Sequence, residues 1–199
     1  KNKIKPLLTI GNMDDNGKHN VWHKSVIHLA KKNKIKCLTK KKLLKNENLV
    51  VLKNIDIIFC IGSTQIIPKK ILHLPKLGCI NIHPSLLPKY RGRYSTLRSI
   101  LNGDKKTGVT AHFIDEKIDM GRIIMQKKIS IPLNFTGKDL YDRFEREGIL
   151  LFRRIVNMFK KNKKITTYRL RNRKGRNFRY FKKELPNNGE INWNWSGKK

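Results

Sequence analysis

Acidic residues are scarce in this chain of 199 residues: 14 Asp and Glu stand against 46 Lys and Arg, a formal net charge of +32. Long apolar stretches are missing too. No run approaches the ~18 residues that a membrane-crossing helix needs, and no charged-apolar-small leader pattern opens the chain. A membrane partner is therefore not expected, and a cytoplasmic location is. Cysteine is limited to Cys37, Cys60 and Cys79. They lie scattered in apolar segments without paired spacing, so neither a disulfide framework nor a metal cluster is expected, and all three read as reduced core residues. An initiating methionine is also missing, which agrees with a chain shortened at its N-terminus; the other reading is that residues 1–20 have merely diverged.

The positive charge has two readings. Clustered Lys and Arg neutralise phosphates, which points to RNA as a partner. A compositional bias toward Lys, Asn and Ile would produce the same count without a partner, and the even spread of lysines favours it. Residues 153–183 are the exception, since they carry no acid. Phe178, Tyr180 and Phe181 are interleaved there, either as a nucleic-acid surface or as the apolar face of a hairpin packed on the domain.

Strand and helix signals alternate from the start. Pro6–Ile10 reads as a strand and Val21–Asn33 as a helix, with Val26, Ile27, Leu29 and Ala30 as its apolar stripe. Ile35–Leu38 is a short strand and Leu43–Leu49 a weak helix. Ile55–Ile61 is almost wholly apolar, as suits a parallel strand covered on both faces. A helical turn follows Pro68, and Gly78-Cys79-Ile80 opens another strand. Tyr94–Asn102 reads as a helix and Ile123–Ile131 as a strand. Thr136-Gly137-Lys138-Asp139 resembles a capping box opening a helix to about Lys161, striped by Leu140, Phe144, Leu151, Ile155 and Phe159. Alternation of this kind predicts one α/β domain with a doubly wound, mostly parallel, Rossmann-like sheet. The domain is expected over residues 1–161, with a short basic C-terminal extension over 162–199.

The stretch that organises the chain is Asn81-Ile82-His83-Pro84-Ser85-Leu86-Leu87-Pro88-Lys89-Tyr90-Arg91-Gly92. Its first residues end a strand; its prolines and glycine cannot continue one. Asn81 and His83, two apart, project from the same face at a strand's carboxyl end, where open α/β sheets bind ligands. A second run, Thr107-Gly108-Val109-Thr110-Ala111-His112-Phe113-Ile114-Asp115, is β-rich and leads to Asp119-Met120-Gly121. An amide donor, an imidazole and a later loop carboxylate make an acid–base set. Read alone, a strand-end histidine and a turn aspartate more often make only local hydrogen bonds. His112 reads as a satisfied structural histidine.

Taken jointly, Asn-x-His-Pro-Ser-Leu-Leu-Pro-x-Tyr-Arg-Gly, Thr-Gly-Val-Thr-x-His-Phe-x-Asp and x-Asp-x-Gly-x-Ile-Ile resemble the folate-dependent formyltransferases. That family includes glycinamide ribonucleotide, methionyl-tRNA and sugar N-formyltransferases. The resemblance covers residues 50–135 strongly and the flanks weakly. It implies a catalytic trio of Asn81, His83 and Asp119; for that reaction the residue types suit Asn81 and a protonated His83 as donors to the developing oxyanion, and Asp119 either as the charge that raises the His83 pKa or as the acceptor of the amine proton. It implies 10-formyltetrahydrofolate as the formyl donor, with no metal. The donor would lie against Thr64, Gln65 and Ile66 on one side and Ser85, Leu86, Leu87 and Pro88 on the other, although Leu86 and Leu87 also suit plain loop anchoring. Tyr90, Arg91 and Arg93 would stand at the acceptor entrance, where arginines suit a phosphate; surface solvation is the alternative. Met120 departs from the Thr or Gly common at its position. The family fold usually begins with a further strand and helix before the segment matching Pro6–Ile10. Tyr90–Tyr94 and Tyr180–Trp195 look most like the sugar enzymes, so a small-molecule amine on a nucleotide-linked sugar is the favoured acceptor. Methionyl-tRNA and glycinamide ribonucleotide are the alternatives, and a basic RNA-binding module on a degenerate scaffold is the non-enzymatic one. Nothing in the sequence sets an oligomeric state.

Overall fold

The computed structural model describes residues 5–19, 24–169 and 180–181. The expected helix start at Val21 and most of the segment Phe178–Trp195 lie outside them.

The first unit is a parallel pair, β1 (Leu8–Ile10) with β2 (Lys36–Leu38), joined through α1 (Val26–Lys32). α1 begins at Val26 because Ser25 caps it: Ser25 Oγ accepts from His28 N at 3.0 Å and donates to Asp15 Oδ1 at 2.5 Å. The single weak helix expected over Leu43–Leu49 is two helices, α2 (Lys40–Leu43) and α3 (Asn46–Lys53). Lys45 separates them in an extended conformation, and Asn48 Nδ2 joins them by donating to Lys42 O at 2.8 Å.

After these come β3 (Ile58–Ile61), α4 (Lys69–Leu72), β4 (Cys79–His83), β5 (Arg91–Gly92), α5 (Ser95–Leu101), β6 (Lys106–Phe113), β7 (Ile123–Ser130), α6 (Gly137–Lys160) and β8 (Tyr180–Phe181). The larger sheet has the order β3-β4-β6-β7. β3 and β4 run parallel, whereas β6 runs antiparallel to both β4 and β7. The doubly wound α/β architecture is therefore mixed: crossovers keep the N-terminal strands parallel, and the short β6–β7 connection forces a hairpin. β3 is one of the two outer strands of this sheet among the described residues. It is half-buried, with Ile61 exposed, and is covered on both faces: Phe59 packs toward Phe152 of α6 and Ile58 toward Ile71 and its neighbours.

α6 covers the sheet. Its capping box closes as the sequence predicts: Asp139 N donates to Thr136 Oγ1 at 3.2 Å, and Thr136 N donates to Asp139 Oδ2 at 2.8 Å. Leu140, Phe144, Leu151 and Ile155 are buried against Ile80 and Ile82 of β4, Val109 and Ala111 of β6, and Ile124 and Ile129 of β7. Each such side chain contributes ~1.5–3 kcal/mol of hydrophobic stabilisation. A second core of Leu38, Leu43, Leu52 and Ile71 takes in Leu8, Ile10 and Ile58, tying the β1–β2 pair to β3. Among the described residues no helix is long and apolar enough to cross a membrane.

The described parts of the C-terminal extension lie on this body. Ile123 and Tyr168 exchange backbone hydrogen bonds of 2.8 and 3.0 Å. β8 pairs in parallel with β5, and Arg93 N donates to Phe181 O at 3.0 Å.

Candidate active site

β4 delivers Asn81 and His83 to one face, and the antiparallel register sets His112 opposite Asn81 and Thr110 opposite His83. Asp119 arrives from the loop after β6 with φ 52°, a left-handed backbone. The turn is kept tight by Gly121, where a Cβ would lie 1.7 Å from the Phe113 carbonyl oxygen. The three residues that the sequence singles out therefore converge. Asp119 Oδ1 accepts from Asn81 Nδ2 at 3.2 Å, and Asp119 Oδ2 lies 3.6 Å from His83 Nδ1.

Two further groups complete the cluster. Gly92 N donates to Asp119 Oδ2 at 2.7 Å. His112 Nε2 lies 3.5 Å from Asp119 Oδ1 and 3.3 Å from Asn81 Nδ2. His112 is satisfied, as expected, through Nδ1 at 2.8 Å from the Phe113 carbonyl. A carbonyl only accepts, so Nδ1 carries a hydrogen; Nε2 donates to Asp119 when it too bears one and accepts from Asn81 Nδ2 when it does not. Its place in the cluster was missed in the sequence; pairing β4 with β6 in antiparallel register would have found it.

His83 is held the same way. Nε2 lies 2.8 Å from the Tyr90 carbonyl, so it carries the hydrogen and leaves Nδ1 facing Asp119. Burial dominates its titration and lowers the pKa despite the nearby Asp119 charge, which alone would raise it. The raised pKa expected from the Asp119 charge is therefore not what the free site has. Burial would raise the Asp119 pKa; the His112 hydrogen bond, the His83 charge and the Gly92 N–H outweigh it and bring it down to about 2. At neutral pH the free cluster pairs an ionised Asp119 with a neutral His83. The donors expected to face an oxyanion are also engaged, Asn81 with Asp119 and His112, and His83 with Tyr90.

The flanking loops are built differently. Ser85 and Leu87 are buried, and Leu86 lies against Gly108, where a Cβ would come within 2.5 Å of its side chain. Thr110 Oγ1 donates to Ser85 O at 2.6 Å and accepts from Leu87 N at 3.1 Å and Gln126 Nε2 at 2.8 Å. Gln126 Nε2 also donates to Leu87 O, and Tyr168 OH donates to Gln126 Oε1. The Leu87–Pro88 peptide is cis. In the other loop, Thr64 N donates to Asn12 Oδ1 at 3.1 Å and Gln65 Nε2 to Gly11 O at 3.0 Å, while Ile66 is exposed. Gln65 Oε1 is buried without a hydrogen-bond partner. A ligand N–H donor would satisfy that oxygen.

In the loop after Pro88, Tyr90 is buried and its hydroxyl donates to Asp104 Oδ2 at 2.9 Å and accepts from Asn102 Nδ2 at 3.0 Å. Its side chain is an anchor, and its carbonyl is what reaches the cluster. Arg91 and Arg93 are half-buried, with the Arg93 guanidinium 5.7 Å from the Tyr94 ring centroid.

A sequence profile described as "Formyl transferase" matches residues 5–156. The chain belongs to the formyl transferase family. It is 45% identical over 95 residues to the methionyl-tRNA formyltransferase of Clostridioides difficile, covering 48% of this chain and 31% of that one. It is 34% identical over 195 residues to the bifunctional polymyxin resistance protein ArnA of Wigglesworthia glossinidia brevipalpis, covering 97% of this chain and 29% of that one. Among solved structures, the N-formyltransferase of Helicobacter canadensis, in complex with folinic acid and dTDP-3-aminofucose, aligns with TM-score 0.72 and 28% identity over 94% of this chain and 64% of that one. The chain spans about a third of the length of the curated relatives it matches.

Proposed function

We propose that the chain transfers a formyl group from 10-formyltetrahydrofolate to a primary amine on a nucleotide-linked sugar. The observation that carries the transfer is the convergence of Asn81, His83 and Asp119 at the carboxyl end of β4. When bound, 10-formyltetrahydrofolate supplies an activated formyl carbon: the acceptor nitrogen bonds to it, the carbon–N10 bond breaks, and the proton shed by the amine ends on N10. Neutral His83 is the group able to take that proton, at Nδ1, and ionised Asp119 stabilises the imidazolium that results. Asn81 turns its amide from Asp119 and His112 toward the formyl oxygen; a donor of this kind is worth ~100–1000-fold in rate. Thr64, Gln65 and Ile66, with Ser85, Leu86, Leu87 and Pro88, hold the pterin end, and Gln65 Oε1 gains an N–H partner there. Arg91 and Arg93 take the phosphates of the acceptor, and Tyr90 keeps His83 in register through its carbonyl.

The sugar acceptor is supported by one solved structure that aligns over 94% of this chain. The Helicobacter canadensis structure was solved with an amino-sugar nucleotide. A second reading, formylation of methionyl-tRNA, is favoured by the 45% identity over 95 residues to a methionyl-tRNA formyltransferase and by the +32 charge.

The test is a parallel assay with 10-formyltetrahydrofolate and three acceptors, a dTDP-linked amino sugar, methionyl-tRNA and glycinamide ribonucleotide, read by mass spectrometry. Formylated amino sugar supports the proposal; formylated methionyl-tRNA alone overturns the acceptor. No transfer to any of them, with salt-steep RNA binding instead, would leave a basic RNA module.

A further inference from the structure

Two titratable members of the cluster, His83 and Asp119, are gripped by one short loop through its backbone. Tyr90 O accepts from His83 Nε2, and two residues later Gly92 N donates to Asp119 Oδ2. The loop is strained at its two tyrosines, Tyr90 with φ 54° and Tyr94 with φ 57°, while Gly92 at φ 89° takes a conformation that glycine favours. Something must hold it in that shape.

On one side the anchor is the Tyr90 hydroxyl, fixed between Asp104 and Asn102. On the other it is β8. Tyr180 pairs with Arg91 and Phe181 with Gly92, so closely that a Cβ on Gly92 would lie 2.2 Å from Phe181 O and 2.7 Å from the Tyr180 ring. The Phe181 ring lies 5.8 Å from the Tyr90 ring, and the Arg98 guanidinium on α5 sits 4.1 Å from its centroid. The strand therefore presses on the two residues whose backbone groups touch His83 and Asp119.

We propose that β8 is a positioning element of the catalytic centre and that Phe181 is its positioning residue, setting the His83–Asp119 geometry through the 90–94 loop without touching substrate. This rests on the formyl-transfer reading for its kinetic consequence, but not for its structural one. The C-terminal segment is then a working part of the site and not a separate basic appendage. Weakening β8 loosens the Gly92 N–H on Asp119, leaving the carboxylate with His83, His112 and Asn81 as its facing groups, and the carboxyl titrates at higher pH.

The experiment uses the full chain with Phe181→Ala, Phe181→Tyr as the conservative rescue and Arg98→Ala as a milder variant from outside β8. Two readouts are taken: kcat, KM and the pH profile of formyl transfer, and the Asp119 titration by carboxylate NMR, which needs no turnover. Phe181→Ala is expected to lower kcat ~10–100-fold, to leave donor KM within ~3-fold, and to move the acid limb and the Asp119 titration upward. Phe181→Tyr restores both, and Arg98→Ala shifts both in the same direction by less. The proposal is overturned if Phe181→Ala folds and keeps the wild-type kcat and Asp119 titration. Should Phe181→Ala not fold, an unmoved titration in Arg98→Ala overturns it equally. Wild type that transfers formyl to no acceptor refutes the functional reading alone, since the NMR arm still decides the positioning role.

Discussion

Replacing Thr110 with valine tests the support of the Ser85–Pro88 loop with little change in shape. Thr110 is 0% exposed, and its hydroxyl serves three groups: Ser85 O at 2.6 Å, Leu87 N at 3.1 Å and Gln126 Nε2 at 2.8 Å. Gln126 keeps its bond to Leu87 O, so two groups lose their partner, Ser85 O and Leu87 N, and both residues are buried. Leaving a buried polar group unsatisfied costs ~1–3 kcal/mol, so the pair predicts a loss of about 2–6 kcal/mol. At a urea slope of ~2 kcal/mol/M the midpoint falls by about 1–3 M. Thr110→Ser, which keeps the hydroxyl and loses one methyl, should cost only ~1 kcal/mol. Binding of 5-formyltetrahydrofolate should weaken in the valine variant and not in the serine variant. A valine midpoint equal to or above the serine midpoint, at unchanged slope, would refute the claim that this hydroxyl builds the loop.

Other parts of the account are open to equally direct checks. Asp119 is held at about 2 against an ordinary 3.8, so its contribution, about 2 kcal/mol at 1.36 kcal/mol per pKa unit, is fully present above pH 3.8 and lost as pH falls toward 2. His83 acts in the same direction from higher pH, since its lowered pKa makes the unfolded chain bind the proton first below its ordinary 6.5. Urea unfolding across pH should show stability falling from neutrality downward, with the lowest-pH portion missing in Asp119→Asn. Gly121→Ala, whose Cβ would lie 1.7 Å from a backbone oxygen, should lose ~4 kcal/mol or more in the same assay. Leu140→Ala, at a fully buried stripe position of α6, should lose ~2–5 kcal/mol.

What could be read in the sequence was whatever depends on local pattern. The capping box at Thr136 and the stripe of α6 follow from spacing alone, and so does the pairing of Asn81 with His83 on one strand face. The motif spacing also led to Asp119. Long-range relations were not legible. His112 enters the cluster because β6 runs antiparallel to β4, and nothing in the local pattern fixes that direction. The pKa of His83 turns on how deeply the folded chain buries it, which no neighbour in sequence reveals. Lys45 divides what looked like one weak helix, because Thr39 caps the first half and Asn48 staples the second to it. Tyr90 read as a residue of the acceptor entrance; its hydroxyl is instead tied to Asp104 and Asn102, more than ten positions away.

The central claim is that this chain holds a formyltetrahydrofolate donor beside the Asn81–His83–Asp119 cluster. Calorimetric titration with 5-formyltetrahydrofolate, a stable stand-in for the donor, tests it most directly on wild type and His83→Ala. The account predicts micromolar binding to both, with formyl transfer reduced ~100-fold or more in His83→Ala. Folded wild-type protein that gives no binding heat at any donor concentration, by calorimetry and by a second method, would contradict it.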